Sequence, residues 1–276
     1  MTLDTKLLLA GLITEVAVVV FCLFRRIYRT LPLFFAYLIW SLVADAGQYI
    51  LIRLFPPTEL HPDTDLLIYA ATAMIDALFM FGVLLELSMS VLRPIRASLP
   101  RWVMPAIALL MLAASAAIWP FAKSPGFEHL TALSQLQIHL GLTLAVLRIL
   151  FFLVLAGLSQ LLSIGWRDRE LQIATGFGIY SLATLAASLL HTSQTVGSDA
   201  LNSQFHLLDQ MASATYICSM VYWCICFFQE VPERREFTPQ MQSFLLAMAG
   251  NARSTRIALT HSGDSMPEKP DKRHGR

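Results

Sequence analysis

Apolar stretches dominate this chain, and they recur at a length set by a lipid bilayer rather than by a soluble core. Seven runs approach the ~20 residues that an α-helix needs to cross hydrocarbon. They are residues 7–24, 31–53, 66–91, 103–119, 138–163, 171–191 and 207–228. The pattern predicts an all-α, polytopic membrane bundle of seven transmembrane helices, with residues 1–236 as its transmembrane domain. The connectors are too short to hold a soluble domain, so any chemistry lies within the membrane or at its surfaces.

Charge gives these runs a direction. The first connector carries Arg25, Arg26 and Arg29, the third Arg93, Arg96 and Arg101, the fifth Arg167 and Arg169, and the segment after the last run Arg234 and Arg235. On the other side stand only Lys6, Arg53 and Lys123. Lys and Arg in short loops mark the cytoplasmic face. The N-terminus is therefore expected outside the cytoplasm and the C-terminus within it, in a cell (plasma or inner) membrane. A missed or spurious helix would break the alternation, so the alternation itself favours seven.

Beyond the last run, Thr238-Pro239 is a helix-start signal, and Met241, Phe244, Leu245 and Met248 follow at helical spacing. Residues 237–249 read as an amphipathic helix lying on the inner leaflet. Residues 250–276 are polar and read as a disordered cytoplasmic tail that could meet a cytoplasmic partner.

Composition removes the soluble alternatives. Hydrophobic residues make up 56% and charged residues 14%, against about a quarter charged in soluble domains. Mean hydropathy is +0.59, so the lipid bilayer is the chain's first partner. A net charge of +1 leaves no electrostatic footprint for nucleic acid. Cys22, Cys218, Cys224 and Cys226 all lie in apolar runs, which predicts packing roles and no structural disulfide. No cofactor is expected.

The chain also resembles itself. At an offset of about 140 residues, Tyr37 to Leu42 align with Phe177 to Leu182, and Leu66-Leu67 and Ala71 to Ala73 align with Leu207-Leu208 and Ala212 to Ala214. The second and third runs thus match the sixth and seventh. This predicts a 3+1+3 pseudo-repeat with parallel halves related by an axis along the membrane normal, as in some transporters.

Ionisable groups inside the runs need explanation, because each costs roughly 2.5–3.5 kcal/mol at mid-membrane on insertion scales. Counting ~1.5 Å per residue from the inner arginines, Asp45, Asp76 and Arg148 fall at nearly one level, with Glu15 lower. Ser41, Asp45 and Gln48 share one helical face, and Tyr69, Thr72 and Asp76 another. Arg148 shares a stripe with Gln137, Gly141 and Leu144. We expect Arg148 to pair with Asp45 or Asp76 in the bundle interior. The group can be an ion pair that fixes helix register, or a polar site for a cation, proton or small polar solute. Acids exceed the one arginine, so a proton or a bound group must offset the surplus.

Histidines gather at the outer side. His139, His191, His206 and Asp209 could supply three nitrogens and one carboxylate to a zinc ion, although no His-x-x-x-His pair occurs. Other chemistries lack their residues. The last run has no lysine for a retinal Schiff base, and the signature motifs of G-protein-coupled receptors are missing. Topology and repeat layout resemble those of the small seven-helix sugar transporters, without their proline-rich helix pattern. Three readings remain. The first is a small-solute or ion/proton-coupled transporter-like bundle. The second is a seven-helix membrane sensor or signalling component, and the third an intramembrane zinc hydrolase.

Overall fold

A computed structural model describes residues 3–54, 62–92, 103–122, 132–158, 168–193 and 199–229. The expected interfacial helix 237–249 and tail 250–276 lie outside the described residues. Within them the chain is all-helical, with seven α-helices and no strand. They are α1 (Leu3–Phe24), α2 (Pro32–Leu54), α3 (Pro62–Val91), α4 (Val103–Ile118), α5 (Ala132–Leu158), α6 (Arg169–Ser193) and α7 (Asp199–Phe228). Six are long and apolar enough to cross a membrane; α4 is shorter. Their outward faces are apolar, with Phe24 80% exposed, Leu78 73% and Leu110 70%. Such a surface suits lipid, not water.

Helices α3, α5 and α7 begin several residues before the apolar runs do. The added turns, such as Asp199-Ala-Leu-Asn-Ser-Gln at the head of α7, are polar. Hydropathy registers only the part of a helix that lies in hydrocarbon, whereas backbone hydrogen bonding carries the helix on. His206 and Asp209 consequently fall inside α7 rather than at its start.

Six helices close into a ring. Helix α1 packs on α2 and α7, α7 on α6, α6 on α5, α5 on α3, and α3 on α2. Helix α4 stands outside, against α5 and α3, seated where Met111 meets Leu84 and Leu147. All seven helices alternate in direction, so the ring has two distinct ends. One carries Asp4 in the first turn of α1. The other carries Arg25, Arg26, Arg29 and Arg169.

The Arg25 end is tightly finished. Helix α1 stops where Arg26 turns left-handed at φ 55°, and a 3₁₀ turn over Ile27–Arg29 follows. Ile27 and Leu31 are tucked under the bundle, and Pro32 opens α2 with the fixed φ and missing N–H that suit a first helical position. The next two N–H groups of α2 would find little water here. The carboxylate of Glu86, reaching across from α3, accepts both, Leu33 N–H at 2.9 Å and Phe34 N–H at 2.7 Å. A carboxylate at a helix N-terminus satisfies orphan donors and meets the positive end of the dipole. The Ser90 hydroxyl donates to Glu170 at 2.6 Å, tying α3 to α6. Arg25 donates to the last carbonyl of α7, at Phe228.

Small residues allow the closest approaches, as expected for helices in lipid. A Cβ built on Gly176 would lie 2.2 Å from Trp223 Nε1, and one on Gly178 would lie 3.0 Å from the Phe152 ring. Gly157, by contrast, has open space where its Cβ would stand. Gly176→Ala is expected to lower the melting temperature in detergent, costing about 1–3 kcal/mol through overpacking. Gly157→Ala is expected to raise it or leave it unchanged, because alanine is the better helix former. Thermal melts of the two variants side by side make the comparison.

Candidate functional site

The two ends of the ring are filled differently. Toward the Arg25 end the centre is packed with rings. Trp223 and Phe227 of α7, Phe34 of α2 and Phe177 of α6 meet edge to face. Centroids lie 5.4 Å apart for Phe34–Trp223, 4.8 Å for Phe177–Trp223 and 6.1 Å for Phe34–Phe227. Such T-shaped pairs are the favoured arrangement of aromatic quadrupoles. Leu38, Met80, Val83, Leu87 and Met220 complete a dry plug.

Toward the Asp4 end the same ring encloses a cavity of about 1140 Å³. Every ring helix contributes to its wall, and no described side chain of α4 does. The wall is of mixed character, and it carries polar and charged side chains among apolar ones. Helix α2 brings Ser41, Asp45 and Gln48, α3 brings Asp76, α5 brings Gln137 and Arg148, and α7 brings Asp209 and Gln210. Tyr37, Tyr180 and Tyr216 lie toward its base, above the plug.

The residues singled out from the sequence are thus largely gathered. Asp45, Asp76 and Arg148, expected at one depth, line one cavity, and so do Ser41, Gln48, Gln137, Gly141 and Leu144. Glu15 is 1% exposed and lies behind the wall. Its Oε1 accepts from the Ser41 hydroxyl at 2.9 Å and from the Tyr216 hydroxyl. Thr72 is not part of the lining; its hydroxyl donates to the Ile68 carbonyl of its own helix at 2.9 Å. The side chain of Tyr69 lies outside the described residues.

The expected contact ion pair of Arg148 is not formed. Its guanidinium carbon stands 5.4 Å from the centre of the Tyr180 ring, a cation–π placement. Asp76 remains within its electrostatic reach. Tyr180 in turn packs on Tyr216 at 5.4 Å. A chain of contacts therefore runs from Arg148 through two tyrosines to Glu15. Sequence reading missed both tyrosines, because a tyrosine in an apolar run looks like an interface anchor. It also missed Glu86, whose helix-end partner is invisible from α3 alone.

The histidine set is only partly described. His139 packs its ring edge-on to Trp119 at 5.5 Å and is not part of the cavity wall, whereas Asp209 is. The side chains of His191 and His206 lie outside the described residues. Among the described residues, no three His, Cys, Asp or Glu side chains gather as a metal site.

The electrostatic character of the cavity follows from this census. Among the described residues, Asp4, Asp45, Asp76 and Asp209 line it, against one basic group, Arg148. The hydroxyls of Thr184 and Ser188 spend their protons on the carbonyls of Tyr180 and Thr184, at 2.8 and 2.9 Å. That leaves their oxygens with acceptor capacity on the cavity side. Acid and acceptor oxygens prevail, so the wall suits a positively charged guest.

Comparison with known proteins finds no matching family model, no matching curated protein and no matching solved structure. The site is therefore read from its own chemistry. Tyr216→Phe should cost roughly 1–3 kcal/mol, since it strips a donor from a buried carboxyl. Thr72→Val, whose hydroxyl serves only its own helix, should stay within about 0.5 kcal/mol of the parent. Denaturant titration in mixed micelles measures both.

Proposed function

We propose that this membrane-embedded chain is a solute carrier of the ion- or proton-coupled kind, whose acid-rich cavity binds a small cationic solute. The supporting observation is the asymmetry of the ring. One half holds a cavity whose wall, among the described residues, carries four aspartates and one arginine; the other half is sealed by buried aromatic rings. A pore would be polar throughout, and a purely structural bundle would pack both halves.

We also read the chain as a seven-span, 3+1+3 repeat, which suits a carrier. Turning the ring by half exchanges α1 with α5, α2 with α6 and α3 with α7, and each contact between ring neighbours then falls on another, while the α3–α6 contact across the ring has no counterpart. Tyr37 and Phe177, equivalent at the repeat offset, touch at 5.8 Å, as side chains near such an axis would. Helix α4 lies outside, in the place of a linker. Its 16 residues and the following 3₁₀ turn reach about 30 Å, the thickness of the hydrocarbon core. With arginines at the plugged end, the positive-inside rule puts the cavity on the extracytoplasmic side and the plug on the cytoplasmic side. The bundle is thus poised to receive solute from outside.

Thermal-shift titration in nanodiscs tests the charge preference, with tetraethylammonium and spermidine as cationic probes and a dicarboxylate of similar size as the anionic one. Cations should stabilise the protein and the dicarboxylate should not. Asp76→Asn should weaken cation binding about tenfold, and Arg148→Met, which removes the one opposing charge, should tighten it by a similar factor. A tenfold change corresponds to ~1.4 kcal/mol, modest for a unit charge at this range. Preference for the dicarboxylate, or tighter cation binding in Asp76→Asn, would refute the reading. A seven-helix sensor would bind the same cations without moving them, so uptake into proteoliposomes separates the two.

A further inference from the structure

Behind the cavity wall, one polar atom stands out. Glu15 Oε1 takes the Ser41 and Tyr216 hydroxyl protons, and those two hydroxyl oxygens are themselves 3.0 Å apart. Glu15 Oε2 is fully buried and has no hydrogen-bond partner. Beside it stands the carboxyl of Asp45, one helical turn beyond Ser41 on α2. Ionised carboxylates only accept, so two of them side by side leave both edges unmatched and their charges opposed. Around Glu15, α2 also presents Tyr37 and α7 presents Tyr216. Asp76 on α3 and Arg148 on α5 lie across the cavity, and Arg148 is held over Tyr180. Among the described residues, no basic side chain is found acting on the carboxyl pair.

We infer that Glu15 and Asp45 hold a single proton between them, forming a proton site that Asp45 connects to the cavity. One proton turns the unpartnered oxygen into half of a hydrogen bond, with one carboxyl as donor and the other as acceptor. The balance is simple: the proton leaves to cavity water and both carboxylates remain, and no bond other than O–H changes. Asp45 faces both Glu15 and the cavity, so a cation arriving at Asp45 can replace the proton at constant charge. The consequence is cation/proton exchange. That step rests on the cavity being a cation site, whereas the shared proton rests on the unpartnered, buried Glu15 Oε2 and the Asp45 carboxyl beside it. The site also joins α1, α2 and α7, three neighbours in the ring, so its occupancy bears on how they pack.

The test is infrared difference spectroscopy of the full chain in nanodiscs, following the C=O stretch of a protonated carboxyl. The expected result is a band in the parent protein at neutral pH, lost in both Glu15→Gln and Asp45→Asn, and diminished when tetraethylammonium is added. Labelling the side-chain carboxyl carbon of glutamate or aspartate should shift the band in the unmutated protein, which keeps the test decisive if a variant folds poorly. No such band in the parent, no shift with either label, or a band that survives Asp45→Asn overturns the shared proton. A band lost in both variants but indifferent to tetraethylammonium overturns the exchange, and leaves the proton site standing apart from the failed cation reading.

Discussion

Trp223, packed edge to face with Phe34 and Phe177 and with its indole Nε1 edge against the bare backbone of Gly176, is the contact on which the rest of this structure depends. It closes the centre of a six-helix ring at one end. Once that end is closed, the hydrophobic and dispersion contacts of the bundle concentrate there, and the other end is free to be hollow. In lipid there is no water to push helices together, so close packing and satisfied polar groups must do so. The plug supplies the packing. Around it, Glu86 on the first turn of α2, Ser90 on Glu170 and Arg25 on the last carbonyl of α7 supply polar ties across the ring.

The hollow half carries the charges for the same reason. An ionisable side chain facing lipid is costly, whereas one facing a shared cavity meets other polar groups. Six helices contribute to one wall, and α2, α5, α6 and α7 each bring several polar side chains to it. Because the charged groups described in it are four aspartates and one arginine, the wall has a sign. Arg148 moderates that sign without cancelling it, since it lies over Tyr180 and not in a contact pair with an aspartate.

Depth was the most legible quantity in the sequence. Helices in a bilayer are long and regular, so counting residues from the basic ends placed Asp45, Asp76 and Arg148 at one level, and they do share one cavity. The stripes of Ser41, Asp45 and Gln48 and of Gln137, Gly141, Leu144 and Arg148 were legible for the same reason. Thr72 misled because a threonine in a helix can satisfy its hydroxyl on its own backbone and then need no inward face. What could not be read was the identity of the neighbour. Opposite charges suggested an ion pair, but which side chain Arg148 meets depends on the order of helices around the ring, which no single helix encodes. The trans-cap by Glu86 and the Tyr180–Tyr216 relay were hidden by that same missing information.

The central proposal is directional: by the positive-inside rule, we propose that the cavity communicates with the extracytoplasmic side and that the plug shuts it from the cytoplasm. Ser188 lines the cavity and Leu87 lies in the plug. The most direct measurement places a cysteine at each in a background without Cys22, Cys218, Cys224 and Cys226, and exposes whole cells and inverted vesicles to a membrane-impermeant maleimide. The account predicts that Ser188→Cys is labelled in whole cells and not in inverted vesicles, and that Leu87→Cys is labelled in neither. Labelling of Ser188→Cys from the cytoplasmic side alone, or of Leu87→Cys from either side, would contradict it.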